Sequence, residues 1–325
     1  MKKRAFVLIL IILSVLIFLI SLSYGSKRYS ILEIIEFLMN PKNGDELLLK
    51  IRLPRVLSSF LVGASLSIAG LLSQTLFLNP LADPFLFGIS SGANFFVTLS
   101  LFLGLDMIFK FSLSFFSFLG ALFSTIIILL ISRIKGKITP LNLLLAGVAL
   151  NYLLSSISSF LSIWGRDVLN KSVFWSLTGF STINFEKINL LLIIFIPCLI
   201  FSILINIQLD AFSLGEDEAH SLGVNTKLIK TVTLFLIALL TGISVYVSGI
   251  IGFIGLMVPN ILRTIFGLKH IELIPLSLLL GGLLLMISDL IGRMILFPAE
   301  IPVSIITSFL GAPFFLYLLF KKRVY

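Results

Sequence analysis

Two residue types that build most metal and redox sites are nearly absent. Cys198 is the only cysteine, and His220 and His270 are the only histidines, in a chain of 325 residues. One cysteine excludes a disulfide framework or a cysteine metal cluster within the chain. Two histidines leave little material for a zinc site or a histidine-based catalytic apparatus. Charge is also scarce: only 12% of residues are charged, about half the fraction of a soluble domain. The pattern GxxxxGK[ST] is missing, as is any other phosphate-cradling loop followed by lysine. If the work of this chain uses ATP, another chain must bind it. The net charge of +9 sits at the ends of apolar runs and in loops. That distribution fits juxtamembrane charge and gives no basic patch for nucleic acid.

What is abundant is apolar surface. The chain is 58% hydrophobic, with a mean hydropathy of +1.16. Runs of about 20 apolar residues recur, each long enough for about 30 Å of hydrocarbon. The fold class is therefore all-α: a single polytopic membrane domain over 1–325. A β-barrel would show alternating segments of about ten residues. Ten spans are predicted, near 5–24, 56–76, 86–104, 112–132, 141–163, 188–206, 228–249, 252–267, 272–296 and 304–320. The first is read as a retained span, because its apolar core is long for a signal peptide and no small-residue cleavage site follows. The stretch 252–267 is short and holds Gly252, Gly255, Pro259 and Gly267. A broken helix there needs shielding by protein or a water-filled cavity.

Ten spans put both termini on one side. MKKR at the start and Lys321, Lys322 and Arg323 at the end assign that side to the cytoplasm, as do Arg133, Lys135 and Lys137. The loop after the first span departs from the rule, with Lys27, Arg28, Lys42, Lys50, Arg52 and Arg55 on the outer side. A weak repeat at an offset of 179 pairs Gly63, Ser65, Gly70, Pro80, Phe87 and Gly88 with Gly242, Ser244, Gly249, Pro259, Phe266 and Gly267. The paired spans run in opposite directions, so the halves read as inverted repeats.

The strongest polar interruption is 209–225, LDAFSLGEDEAHSLGVN. Ser213 and Glu216 have the spacing of a capping box. Glu216, Asp217 and Glu218 would occupy the first turn, where the helix dipole favours acids, and Gly223 is a left-handed stop. The stretch is predicted to form a short helical knob of about 9 residues, too polar for the bilayer and about 13 Å long.

Four further constellations stand out. Arg52 and Arg55 in IRLPR could form a fork for a partner's carboxylates or anchor headgroups. Asp289 and Arg293 are four apart in the ninth span and can pair; an ion-coupled carrier using Asp289 is the alternative, although no second acid lies deep in a span. NPLADP at 79–84 breaks the helix at two prolines, as a re-entry turn or part of a constriction. Asn151, Ser155, Ser158, Ser159 and Ser162 share one face of the fifth span. They can line a watery path or pack closely on another helix, and packing is the expectation.

IRLPRVLSSFLVGASLSIAG, LFLNPLADPFLFGISSGA, LLLAGVALN, FSLGEDEAHSLGV, GIIGFIGLMVPNILR and PVSIITSFLGAPFF together resemble the FecCD-type permeases. The resemblance covers roughly residues 50–320 in order. These are transmembrane subunits of ABC importers for iron–siderophores, haem and vitamin B12. The resemblance implies an inverted-repeat, type II importer permease in the plasma membrane: a multi-pass, non-catalytic subunit with no cofactor of its own. It implies as partners a second permease subunit, two ATPase subunits carrying ATP and Mg, and an extracytoplasmic binding protein. It further implies that Ser213, Leu214, Gly215, Glu216, Asp217, Glu218, Ala219, His220, Leu222 and Gly223 couple to the ATPase. Arg52, Arg55 and Arg293 would meet the binding protein. Asn79 and Leu81 match the family's cytoplasmic constriction. With Asn151, Ser155 and Ser159 they make up the expected path and gate. A bulky residue at Ala219 is expected to uncouple ATP hydrolysis from uptake with the fold intact.

Overall fold

The computed structural model describes residues 2–25, 27–40, 45–107, 112–132, 140–267 and 269–321. Lys42, Arg133, Lys135, Lys137, Lys322 and Arg323 lie outside them, as do the side chains of Lys2, Lys3, Arg4 and Lys321. All the regular structure among the described residues is helical. The chain runs through α1 (Lys2–Ser23), α2 (Ile31–Met39), α3 (Leu53–Leu76), α4 (Ile89–Phe102) and α5 (Ser112–Ser132). It continues through α6 (Pro140–Trp164), α7 (Val168–Leu177), α8 (Phe185–Leu204), α9 (Asn206–Phe212) and α10 (Glu216–Ser221). Then follow α11 (Thr226–Ser248), α12 (Ile254–Phe266), α13 (His270–Met294) and α14 (Val303–Lys321).

Each predicted span has its helix: α1, α3, α4, α5, α6, α8, α11, α12, α13 and α14. Two are short. α4 has 14 residues and α12 has 13, so each is about 20 Å long at about 1.5 Å per residue. α2, α7 and α9 are additional. The capping-box geometry appears at α2, where Glu33 N–H donates to Ser30 Oγ at 3.3 Å and Ser30 N–H donates to Glu33 Oε2 at 2.6 Å.

α3 is the axis of the bundle. Pro54 sits in its first turn, where a missing N–H costs nothing. Nearly every residue from Val62 to Leu76 is buried, against α13, α11 and α12. α1, α6 and α8 are peripheral and expose leucine, isoleucine and phenylalanine on their outer faces, as a lipid-facing helix should. Small residues set the closest crossings. A Cβ on Gly63 would lie 2.2 Å from Gly281 O, and one on Gly281 would lie 2.5 Å from Gly63 O. The backbones of α3 and α13 therefore touch, which gives packing that lipid cannot outcompete.

α12 is the broken helix expected near 252–267. Pro259 has no N–H, so the carbonyl of Gly255 loses its intrahelical donor. Gln74 Nε2 donates to Gly255 O at 3.3 Å and to Leu256 O at 3.2 Å. Gly70 lets α3 come close enough for this: a Cβ there would lie 1.9 Å from Gly255 O. The shielding that a half-length helix requires thus comes from α3.

The repeat is visible in the packing. α3 lies on α13 while α11 lies on α5; counted in order of spans, α3 corresponds to α11 and α5 to α13, so the halves exchange equivalent partners. Contacts of Gly70 with Gly255 and of Pro80 with Asn260 show that α3 and α12 run the same way. α11 precedes α12 by a tight turn and so opposes α3. Gly88 and Gly267 both take positive φ, at 65° and 83°. The match of Pro80 to Pro259 does not extend to local structure, since one is in a turn and the other inside a helix.

Gly63→Leu should force α3 and α13 apart and cost on the order of 3 kcal/mol. Gly252→Ala, with open space around its Cβ position, should stay within about 0.5 kcal/mol. Thermal unfolding of the two variants in the same detergent tests this. Equal melting temperatures would contradict the crossing.

Candidate functional site

Three polar regions are built into this bundle, one at each end and one on its side. At the first end a buried charge network joins α3, α13 and α1. Asp289 is fully buried. Arg55 Nε donates to both of its oxygens at 3.1 Å, and Arg55 Nη2 donates to Oδ1 at 2.9 Å. Arg293 Nε lies 3.1 Å from Asp289 Oδ2, the i,i+4 pair that the spacing allows. The Arg293 guanidinium also donates to Ser21 O and Tyr24 O, which ties in α1. A second arm of Arg55 donates to the half-exposed Glu300 at 3.0 Å.

Arg52 does not share that face. A π-helical turn over Leu48–Arg52 precedes α3 and rotates its side chain inward. It is 4% exposed and donates to Leu22 O at 2.7 Å and Ser23 O at 3.2 Å, and also to Lys27 O. Tyr29 covers it, 4.9 Å from ring centre to guanidinium. Nearby, the Lys27 ammonium and the Tyr29 hydroxyl donate to Asp45 and hold its carboxyl well below the usual range. The expected two-arginine fork is therefore absent. Arg52 and Arg293 are spent on the chain's own carbonyls and on Asp289, and Arg55 is the only one of the three that reaches an exposed group. Asp289 is also a poor ion site, because two guanidinium groups take up its oxygens.

The second region is a hollow on the side of the bundle. Its volume is 650 Å³, and it is lined from α4, α6, α7 and the turn after α11. Asn151, Ser155, Ser158, Ser159 and Ser162 all line it, with Ser90, Ser91 and Asn94 from α4 and Ser172 and Ser176 from α7. Within this one chain the serine face is only partly packed, with Ser158 buried. Ser155 and Ser159 are exposed, and Ser91 Oγ donates to Asn151 Oδ1 at 2.5 Å across the α4–α6 contact. α7 is what makes the region concave; its mixed sequence, VLNKSVFWSL, falls between two predicted spans.

The third region, at the opposite end, holds the 79–84 turn and the 209–225 segment. Leu78 takes φ 49° as the chain leaves α3. Leu81 N–H donates to Asn79 Oδ1 at 2.9 Å, and Asn260 Nδ2 fixes Pro80 O at 2.7 Å. Burial pushes the carboxyl of Asp83 up to about 6, partly opposed by the Phe85 N–H that it accepts at 2.9 Å.

The knob is smaller than predicted. α10 has 6 residues and begins after Gly215, with the three acids in its first turn. Ser213 does not cap it. That residue ends α9, and its hydroxyl donates back to Leu209 O at 3.0 Å. Gly223 is the left-handed stop, at φ 82°. Ala219 faces inward and is fully buried, so a bulky residue there would disturb the knob itself and not its outer face. The outer face is a shallow hollow of 440 Å³ lined by Leu214, Asp217, Glu218, Ser221 and Leu222. Leu214 and Leu222 are each 65% exposed. Behind it, Glu216 pairs with buried Lys230 at 2.6 Å.

A buried polar cluster that sequence spacing did not reveal sits beneath the knob. Asp210 Oδ1 accepts the backbone N–H of His270 at 2.8 Å and lies 2.6 Å from its Nδ1. His270 Nε2 is 2.7 Å from Thr75 Oγ1, and Arg263 donates to Thr75 Oγ1 and Gln74 Oε1 at 3.0 Å each.

The FecCD transport family profile matches residues 10–321. The chain belongs to the FecCD transport family. It is 38% identical to the hemin transport system permease protein of Yersinia pestis, over 95% of this chain and 94% of that one. It is 36% identical to a vitamin B12 import system permease protein of Yersinia enterocolitica, over 84% and 82%. A solved structure described as an inward-facing conformation of a putative metal-chelate type ABC transporter superposes with a TM-score of 0.87 at 31% identity, covering 98% and 99% of the two chains. PsaBC from Streptococcus pneumoniae shares the fold at a TM-score of 0.58 and 18% identity. This FecCD chain is thus an ABC importer permease with several membrane spans.

Two outcomes follow from the charges. Asp289→Asn leaves Arg293 buried without a counterion and Arg55 with only the half-exposed Glu300, and should cost about 3–5 kcal/mol, whereas Glu300→Gln should cost less than about 1 kcal/mol; unfolding in detergent compares them. Asp83, raised in the folded state, keeps a proton that the unfolded chain has already released. Its contribution to stability therefore falls as pH rises from about 4 to about 6 and stays unfavourable above that. Asp83→Asn keeps the acceptor for Phe85 and should add up to about 3 kcal/mol above pH 6. A melting-temperature difference that does not grow over that interval would contradict it.

Proposed function

We propose that this chain is the membrane conduit of a binding-protein-dependent importer for an iron chelate, haem or cobalamin, driven by ATPases docked on 213–222. The observation that carries this is the pair of exposed leucines, Leu214 and Leu222, framing Asp217 and Glu218. Such a surface fits neither lipid nor water. Acids rule out immersion in hydrocarbon, and two exposed leucines around a concavity mark a protein contact. The knob end is cytoplasmic, as the basic N-terminus indicates, and ATP with Mg resides on the partner.

The side hollow supports a second copy of the chain. Its hydroxyls lie among apolar residues at membrane depth, where facing lipid would cost them their hydrogen bonds. Pairing two copies would enclose the hollows as one path lined by Asn151, Ser155 and Ser159, with Asn79 and Leu81 at its cytoplasmic mouth. Relatives named for haem, iron chelates and vitamin B12 set the cargo range. At the outer end, Arg55 at the Glu300 edge is the group a binding protein's carboxylate can reach, supported from within by Arg52 and Arg293.

ATP closure of the ATPases would displace α10, and the two copies would rock about the path. The chain itself makes and breaks no bonds. Each state is chosen by its contacts with the ATPases and not by a gradient of cargo or ions. An ion-coupled carrier is less well supported, because Asp289 is committed to Arg55 and Arg293.

In vesicles holding this chain with its ATPase and binding protein, uptake should require ATP. Leu222→Glu lies on the exposed face and should weaken ATPase binding at least tenfold with an unchanged melting temperature. Uptake driven by an ion gradient without the ATPase, or normal binding by the variant, would overturn the proposal.

A further inference from the structure

The cluster beneath the knob lies apart from the outer hollow lined by Leu214, Asp217, Glu218, Ser221 and Leu222. It joins four elements distant in sequence. Asp210 belongs to α9, which leads directly into α10. His270 opens α13, Thr75 and Gln74 end α3, and Arg263 lies on α12. His270 is 1% exposed and Thr75 is 2% exposed, so water cannot substitute for the contact between them, while the Asp210 side chain is one-third exposed. The connection is unbroken: Asp210 to His270, His270 to Thr75, Thr75 to Arg263, and Arg263 to Gln74.

Gln74 is where the chain of contacts ends, and it ends on the carbonyl that Pro259 leaves without an intrahelical donor. Its amide caps the Gly255 and Leu256 carbonyls beside Pro259. Its own carbonyl accepts Asn79 N–H at 3.1 Å. Movement of α9 therefore reaches both the broken helix and the 79–84 turn without crossing a gap. Thr75 adds a directional constraint. Its one proton can go to Leu71 O at 2.9 Å or to His270 Nε2 at 2.7 Å, while its lone pairs receive Arg263. The members therefore cannot shift independently.

We propose that Asp210 and His270 are positioning residues for coupling: a buried latch that transmits displacement of the α9–α10 segment to α12 and the 79–84 turn. The inference rests on the reading that 213–222 is where the ATPase acts. It goes further in assigning the inward route of that motion to named side chains.

The test uses the whole reconstituted complex. Coupling is read as cargo taken up per ATP hydrolysed. Gate motion is read as nucleotide-dependent modification of the thiol introduced by Leu78→Cys, in a Cys198→Ser background. Asp210→Ala should lower the coupling ratio at least tenfold and abolish the nucleotide response of that thiol, with hydrolysis and assembly retained. Asp210→Asn keeps an acceptor for His270 and should restore the ratio to within about threefold. Should Asp210→Ala fail to assemble, Thr75→Val, which removes the hydroxyl at nearly constant volume, must show the same loss of coupling. A parental ratio in Asp210→Ala, an Asp210→Asn no better than alanine, or a Thr75→Val that couples normally would overturn the latch. If the unmodified complex shows no ATP-dependent uptake, the proposed function fails instead.

Discussion

One unsatisfied carbonyl shapes much of this bundle. Pro259 removes the donor that Gly255 O would have had, in a place where no water can replace it. The remedy, Gln74, must come from a neighbouring helix. That requires α3 to cross α12 at contact distance, which Gly70 and Gly255 permit. With α3 so placed, the crossing of Gly63 and Gly281 fixes α13 on its other side. The central packing is thus a consequence of keeping a broken helix inside protein. A continuous α12 would free α3 from this duty.

Charge in this chain works in two ways. At the arginine end, guanidinium groups hold elements together: Arg293 fastens α13 to α1, Arg52 organises the loop after α1, and Arg55 binds Asp289. Their density in sequence suggested an outward surface. Burial instead makes them internal struts, and leaves Arg55 with Glu300 as the exposed remainder. At the knob end, the acids of α10 are outward, except Glu216, which is turned back onto Lys230. Asp217 and Glu218 remain free to face a partner.

Spans were legible in the sequence because apolar length is a local property. The broken helix was legible for the same reason, since Pro259 lies among glycines within one short window. The left-handed stop at Gly223 was legible from its position alone. What failed depended on rotation about a helix axis. Ser213 and Glu216 had capping spacing, but α9 runs through Ser213 and its hydroxyl is already committed to Leu209 O. Ala219 looked like part of a face and proved to be part of a core. Arg52 and Arg55 are three apart, yet the π-helical turn before α3 separates their directions. The buried cluster was illegible for a different reason. Asp210 and His270 are 60 residues apart and Thr75 is 195 from His270, so nothing local connects them. α7 was missed because its ten residues, VLNKSVFWSL, are too few and too polar to register as a span, and they follow the charged break at Arg166 and Asp167.

α11 ties the remaining regions together. Its first turns carry Lys230, paired with Glu216 on the knob. Its far end turns at Gly249, where φ is 71° and a Cβ would lie 3.2 Å from the carbonyls of Trp175 and Ser176. Those carbonyls belong to α7, the wall of the hydroxyl-lined hollow. The helix between has 23 residues, about 34 Å at about 1.5 Å per residue, without a proline. A hydrogen-bonded helix of that length does not shorten under load. Displacement of the knob along α11 would therefore be felt at α7, and the proposed latch at Asp210 would carry it to α12. Two routes leave one small segment, a straight rod toward the wall of the path and a chain of side chains toward its mouth. In the proposed mechanism both contacts would move with the knob.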